Sequence, residues 1–484
     1  MKILLVNSNR FKYPRPVIPT GLCLVAASIE QAGYEVFILD LCFSKNCAVD
    51  IRATISAVKP DIVGVYIRNI DDIGGNNTQF LLDDVKNSSI FNIKKYFRGP
   101  IVIGGPAVTI SGIEILEFLD LEYAIYGDGE IVMVEFIRCL EEDERMLTEL
   151  KGLIMRKKGK IVQNPAALPL QNLDLLPSLK PHQYLNLKPY RKFDSPIPIQ
   201  TKRGCALKCI YCTYSQIEGS SYRYRSPELI AQEIELIVKE TRMNHFEFTD
   251  STFNLPLEHA KAVLRILKKK KMNLRLKAMG LNPAGVDEEL VDLMHQTGFQ
   301  EVVLAAEAGC DAILKDFRKN YTKESLLRAG ELLKRRNIPI LWCLLAGAPA
   351  ETRETLQETF DTIIQAASPW DLIDVSVGVR AYKGSPLSET MICDNESFLN
   401  DRFLHPVYAL PQKTCLYAIE EFVKQKAFRY SNVFVSDKRK NLPFFILRIL
   451  FLLRKVFIPQ QPVWRIYILL RNIRKWIRDK FTVI

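Results

Sequence analysis

The chain has 484 residues, 48% hydrophobic and 25% charged, which suffices for two or three folded domains and excludes a disordered protein. Its net charge is +11, but residues 431–484 hold 12 Lys/Arg against 2 Asp and so carry +10 of it; a broad nucleic-acid-binding surface elsewhere is excluded. Eleven cysteines, an odd number scattered singly outside one triplet, exclude a disulfide framework and point to a reducing, cytoplasmic compartment.

Short apolar runs at residues 2–6, 35–39, 61–66, 101–103 and 123–126 predict strands, with helices near 22–31, 51–58, 78–86, 111–118 and 131–139. The first seven residues are apolar too briefly for a signal peptide and read as the first strand. This alternation implies an α/β domain over 1–145, a doubly wound, Rossmann-like parallel sheet whose ligands sit beyond the C-terminal strand ends. The loops expected there are Asn7-Ser8-Asn9, Pro19-Thr20-Gly21, Arg68-Asn69, Gly104-Gly105-Pro106 and Gly127-Asp128-Gly129-Glu130. Their small residues suit close approach by a large flat ligand, although each alone is also an ordinary turn. All five histidines follow residue 181, so this domain has none to give to a metal.

Residues 152–164 read as a hairpin around Lys157-Lys158-Gly159, and the proline-bearing stretch 165–195 as a linker, so that 146–195 separates two domains. From 196 to 390 the rhythm resumes. Strands are expected at 197–201, 245–248, 274–278, 301–306, 338–345 and 372–379, with helices near 227–240, 257–270, 287–296, 323–335 and 353–365. Six parallel strands with connecting helices make a partial (β/α)6 barrel, with its chemistry at the C-terminal strand ends. Cys205, Cys209 and Cys212 fall there, directly after the first of these strands, at the spacing Cys-x3-Cys-x2-Cys. Soft thiolates this close can converge on one iron–sulfur or zinc centre. A zinc knuckle completed by a distant ligand and three unconnected thiols are the alternatives; structural zinc wants four ligands, and no fourth Cys or His stands nearby.

The cysteine spacing, with Tyr211 before the last cysteine, resembles the signature of the radical S-adenosylmethionine (radical SAM) enzymes. The glycine loops ahead of it resemble the cobalamin-binding domain of one large subfamily. The resemblance implies a 4Fe–4S cluster on Cys205, Cys209 and Cys212, whose open iron binds SAM, and cobalamin held without a protein histidine. Many cobalamin proteins carry an Asp-x-His-x-x-Gly loop, which this chain lacks. The same resemblance implies SAM contacts at Asp250, Ser251 and Thr252, at Glu307, at Lys319 as a carboxylate partner, and at Gly347. It implies cobalamin contacts at Pro19, Thr20, Gly21, Arg68, Gly104, Gly105, Gly127 and Glu130. The activity implied is a C-methyltransferase acting through a 5′-deoxyadenosyl radical on an unactivated carbon of a small-molecule or lipid-like substrate. Cyclisation, ring contraction or oxidation with the same cofactors, and a non-catalytic zinc or cofactor scaffold, are the other readings. An external electron donor such as flavodoxin or ferredoxin is implied as a partner.

The remainder, 391–484, is expected to be helical, with no chemistry named before residue 426. The apolar run 443–453 is too short to span a bilayer and contains Arg448. In 463–481, Ile466, Leu469, Leu470, Ile473, Trp476 and Ile477 recur at helical spacing among six basic residues. Such a helix suits an anionic membrane surface, here the inner face, and equally suits docking on the barrel with its basic face in water.

Overall fold

The computed structural model describes residues 1–73, 78–394, 402–436, 449–450, 453–454 and 461–481. Strands β1 (Lys2–Asn7), β2 (Glu35–Asp40), β3 (Ile62–Tyr66), β4 (Ile101–Gly104) and β5 (Tyr123–Ile125) form one sheet with a hairpin, β6 (Leu153–Lys157) and β7 (Lys160–Gln163). The order is β2-β1-β3-β4-β5-β6-β7, parallel through β5 and antiparallel beyond it. Near-continuous apolar runs such as Ile3–Val6 are buried on both faces, as a sheet covered by helices on both sides requires. The hairpin read with the linker is thus the edge of the first sheet: Met155 pairs with Tyr123 and continues its core.

Helices α1 (Thr20–Gln31), α2 (Cys47–Val58), α3 (Pro106–Leu119) and α4 (Gly129–Glu142) cover this sheet. Pro106 at the first turn of α3 is pre-set for helix, and Gly105 before it takes φ +109°. A side chain could not follow that turn, because a Cβ on Gly105 would stand 2.6 Å from the Ile67 carbonyl oxygen. Strand order reverses at β1 between β2 and β3, so a ligand crevice opens above β1, β3, β4 and β5.

The second sheet has seven parallel strands, one more than the spacing predicts. They are β8 (Ile197–Ile199), β9 (His245–Phe248), β10 (Arg275–Leu281), β11 (Phe299–Glu307), β12 (Ile340–Ala346), β13 (Leu372–Val377) and β14 (Val433–Val435), hydrogen-bonded in that order. The three-residue β14 lies in the region read as helical. It follows helix α10 (Leu416–Arg429) and is too short to show a period of its own. The outer faces of β8–β13 pack against helices α5 (Pro227–Thr241), α6 (Leu257–Lys270), α7 (Glu288–Thr297), α8 (Lys323–Arg335) and α9 (Arg353–Ala366) in the largest apolar cluster, around Trp342, Phe246, Phe248 and Phe360.

The C-terminal helix α11 (Trp464–Phe481) closes the end of this barrel opposite the cysteines. Trp464 and Ile468 pack against Leu372, the first residue of β13, and Trp464 Nε1 donates to the Trp370 carbonyl at 3.4 Å. Arg471 donates to the carbonyls of Val433 (2.6 Å) and Ala427, and Lys475 to that of Arg429 (3.1 Å). Docking therefore uses part of the basic face, which satisfies the last carbonyls of α10. Leu469, Leu470, Ile473 and Ile477 are 45–49% exposed on the other side. Ile466, expected with them, is buried. Most of the apolar run 443–453 lies outside the described residues. Among the described residues no helix is long and apolar enough to cross a membrane.

Candidate active site

The cysteine loop leaves β8 at its C-terminal end and is held from below by the Asp250-Ser251-Thr252 turn that follows β9. Asp250 is buried, and its carboxylate accepts from Thr201 N (2.7 Å), Lys202 N (3.1 Å) and Thr201 Oγ1 (2.8 Å), with Lys202 Nζ at 3.5 Å. These partners fill its acceptor sites, so Asp250 braces the loop. Ser251 Oγ donates to the Gly204 carbonyl at 2.9 Å. Thr252 Oγ1 is buried beside the loop, with the Tyr222 hydroxyl as its neighbour. Gly204 itself takes φ +95°, and a Cβ there would lie 1.9 Å from the Ser221 carbonyl oxygen.

Cys205 N donates to the Gly219 carbonyl (3.0 Å), Ile210 N to that of Phe317 (3.3 Å), and the Ile210 carbonyl accepts from Leu387 N (2.9 Å). Cys205 and Cys209 are buried and Cys212 half-buried, each within electrostatic reach of the others. Burial pushes the Cys209 thiol up and the Cys212 thiol up to about 11. Metal binding would deprotonate them, and iron and zinc alike have that effect. The protonated thiols are neighbours without being a closed ligand set: among the described residues no three Cys, His, Asp or Glu side chains converge as a metal site would need. The chemistry of the donors, three soft thiols on an exposed-edged loop, suits a cluster with three protein ligands.

Beside Cys209, Lys319 Nζ pairs with Glu307 at 3.2 Å and lies 5.1 Å from the Tyr211 ring centroid. Glu307 ends β11 at φ +56°. The two residues expected to meet SAM separately therefore meet each other first. Gly347 (φ +106°) turns the chain after β12, its N–H held by Glu351 at 3.3 Å, and a Cβ there would meet Gly378 and Leu416.

Above the first sheet lies a cleft, open to solvent, whose walls come from both domains. Gly21, Gly104, Gly105, Gly127 and Glu130 line it. Pro19 and Thr20 stand behind it at the start of α1, and Arg68 is half-buried after β3, with its charge felt by Tyr66 and Tyr214. Among the described residues no histidine lines the cleft. Its floor is made by Gly64 in β3 and by Leu5, Val102 and Met133, giving a slot with apolar bottom and glycine lips. A slot of that shape fits an inserted planar group, so the fold and the donor set both accommodate the cofactors named above.

The far wall was not legible as a site. Gln200, Arg203, Ile217 and Glu218 reach the cleft from the cysteine loop and its following helix. Arg203 is buried and salt-bridged to Asp128 (2.9 Å) and Glu130 (2.5 Å), and Arg223 to Asp128 (2.5 Å). Burial alone would push the Asp128 carboxyl up; the two guanidiniums more than offset this and hold it below the usual carboxylate range. Burial pushes Glu218 up to about 7, opposed by the Gly204 N–H and by Arg203. Glu130, expected to face the ligand, gives its carboxylate to Arg203. In the sequence the signals were a glycine inside the apolar β3 and an arginine two residues ahead of Cys205.

A glycine-lipped slot above a doubly wound sheet, walled by the loop that carries three thiols, defines a two-cofactor enzyme scaffold. Residues 199–363 match the radical SAM superfamily and residues 9–137 the B12 binding domain. An uncharacterised methyltransferase of Pyrococcus horikoshii is 25% identical over 82% of this chain and 84% of its own length. Tryptophan 2-C-methyltransferase of Streptomyces laurentii is 23% identical over 81% and 75%. The structure of the radical SAM methyltransferase TsrM from Kitasatospora setae, with tryptophan and a SAM analogue bound, aligns with a TM-score of 0.75 at 25% identity, covering 81% and 76% of the two chains. The chain belongs to the radical SAM enzymes that carry an N-terminal cobalamin-binding domain.

Proposed function

We propose that the protein is a cobalamin-dependent radical SAM methyltransferase that moves a methyl group from SAM to an unactivated carbon of a small-molecule or lipid-like substrate. The observation that carries this reading is the shared wall: one cleft is lined by Gly104, Gly105 and Gly127 of the first domain and by Gln200, Arg203 and Glu218 next to the cysteines. Cys205, Cys209 and Cys212 would hold the cluster, and the glycine slot the cobalamin. When bound, the cluster with SAM supplies radical generation and cobalamin supplies methyl relay.

The protein's part is positioning and the exclusion of water. Asp250 and Gly204 fix the cysteine loop, Thr252 Oγ1 and the Glu307–Lys319 pair offer polar contacts beside it, and Leu5, Val102 and Met133 keep the slot floor apolar. Ala206 and Lys208 are exposed on the loop and offer a contact for an external electron donor such as flavodoxin or ferredoxin. The test is anaerobic turnover of SAM with a trideuterated methyl group. Formation of S-adenosylhomocysteine that depends on added cobalamin is expected. SAM cleavage to 5′-deoxyadenosine with no S-adenosylhomocysteine and no transfer of the labelled methyl would point to the radical rearrangements instead, and no consumption of SAM at all would refute the reading.

The enzyme is read as cytoplasmic, with α11 resting on the inner face of an anionic membrane. The exposed stripe of Leu469, Leu470, Ile473 and Ile477, on a helix whose tail region carries most of the net charge, supports this. Each basic residue near such a surface adds about 1 kcal/mol of attraction. Full-length protein is expected to float with anionic liposomes at low salt and to release as salt rises. Leu470→Ser/Ile473→Ser/Ile477→Ser should lose flotation with its melting temperature unchanged, because these positions are outside the docked face. Protein that stays in the soluble fraction with anionic liposomes at low salt contradicts the membrane reading.

A further inference from the structure

Arg203 directs its guanidinium across the domain boundary. Nη1 donates to Asp128 Oδ1 (2.9 Å) and Glu130 Oε2 (3.2 Å), Nη2 to Glu130 Oε1 (2.5 Å), and Nε returns to Gln200 Oε1 (3.0 Å). The other Asp128 oxygen accepts from Arg223 Nη1 at 2.5 Å, and Arg223 Nη2 donates to the Glu218 carbonyl at 2.8 Å. The Glu218 carboxylate accepts from Gly204 N (3.1 Å) and from Gln200 Nε2 (2.8 Å). Arg203, Arg223 and Glu130 are buried and Asp128, Gln200 and Glu218 half-buried, and Arg223 Nη1 also donates to the Leu170 carbonyl at 2.9 Å. One end is loop 127–130 at the lip of the cleft; the other is the backbone of Gly204, next to the first cluster cysteine.

The arrangement is more than is needed to glue two domains. Its fork is bidentate on Glu130, so it fixes direction as well as distance, and a lysine could not reproduce it. Every group in it lines the cleft or touches one that does, so a ligand seated against loop 127–130 presses on the same atoms that hold the cysteine loop. We propose that Arg203 is a positioning residue that couples the two cofactor sites: occupation of the cleft orders the cysteine loop 204–212. This rests on the reading that the cleft holds cobalamin. By linkage the effect is reciprocal, so an installed cluster raises cobalamin affinity by the factor by which cobalamin stabilises the ordered loop.

Hydrogen–deuterium exchange of peptides covering 204–212 in the full-length protein, with and without hydroxocobalamin, tests this. Wild type should slow about tenfold on loading, within the range of ordinary coupling between sites. Arg203→Met/Glu130→Gln removes one buried cation with one buried anion and leaves Asp128 paired to Arg223, so no lone charge is stranded. In it the response should fall below about twofold, with Arg203→Lys between the two. A merely structural role would change exchange in both states and leave their ratio intact. The same slowing in the double variant as in wild type, or none in wild type that has bound hydroxocobalamin, overturns the proposal. Should the double variant not fold, wild type alone decides: hydroxocobalamin affinities that are equal with and without the reconstituted cluster overturn it, and about a tenfold gain supports it. Wild type that takes up no hydroxocobalamin overturns the cleft assignment and this inference together.

Discussion

Cys209→Ala is expected to lose the iron–sulfur cluster and with it all cleavage of SAM, while the protein stays folded. Reconstituted anaerobically, the variant should retain less than about a tenth of the wild-type iron, because a cubane held by two thiolates has lost a third of its protein ligands. The stability cost should be modest, about 1 kcal/mol, typical of a single substitution that removes one small side chain. The loop's own bonds explain why: it is fixed through the backbone of Gly204, Cys205 and Ile210 and through Asp250 below, none of which uses the Cys209 sulfur. Iron content and the near-ultraviolet melting curve check both halves. A variant that keeps its iron and still forms 5′-deoxyadenosine refutes the assignment of the three cysteines.

Gly104→Phe should abolish cobalamin binding without harming the fold. Gly104 ends β4 at the lip of the cleft, its φ is ordinary, and an added Cβ meets only the Ile125 carbonyl oxygen, at 3.6 Å. The backbone therefore accepts a side chain, and the benzyl group occupies the slot in place of the ligand. Neighbouring Gly105 makes the contrast. With φ +109° and the Ile67 carbonyl 2.6 Å from a Cβ, it needs glycine for folding, and substitution there would confuse the two effects. The expected loss in affinity for hydroxocobalamin is at least about a hundredfold, or ~2.8 kcal/mol at 1.4 kcal/mol per decade. Absorbance titration measures it, and an affinity within a factor of about three of wild type would remove the ligand from this cleft.

Both experiments rest on features that were legible in the sequence for a physical reason. Cys-x3-Cys-x2-Cys is a local pattern, since three ligands within eight residues must share one loop whatever the surroundings. The parallel sheets were visible because strands buried on both faces are continuous apolar runs, and the glycine loops fall at their C-terminal ends because backbone must turn there. What the sequence did not disclose depends on partners far along the chain. Arg203 and Glu130 are 73 residues apart, and nothing local distinguishes a buried guanidinium bridging two domains from a solvated one. Asp250 illustrates the same limit. Its place after β9 was predicted, yet its oxygens are engaged by Thr201 and Lys202, 48–49 residues earlier, so that the residue supports the cysteine loop from beneath. In α11 the period identified an amphipathic helix, but the period alone cannot tell that Trp464 and Arg471 face the barrel while Leu470 and Ile473 face away.

The proposed chemistry needs one cluster with an open iron and one cobalamin in the same chain. The most direct measurement is metal and cobalamin content of the anaerobically reconstituted protein, joined to the electron paramagnetic resonance spectrum of the reduced cluster with and without SAM. About four irons and about one cobalamin per chain, with a cluster signal that shifts when SAM is added, is the predicted result. One zinc per chain with no cluster signal, or a cluster whose signal is indifferent to SAM, would contradict it.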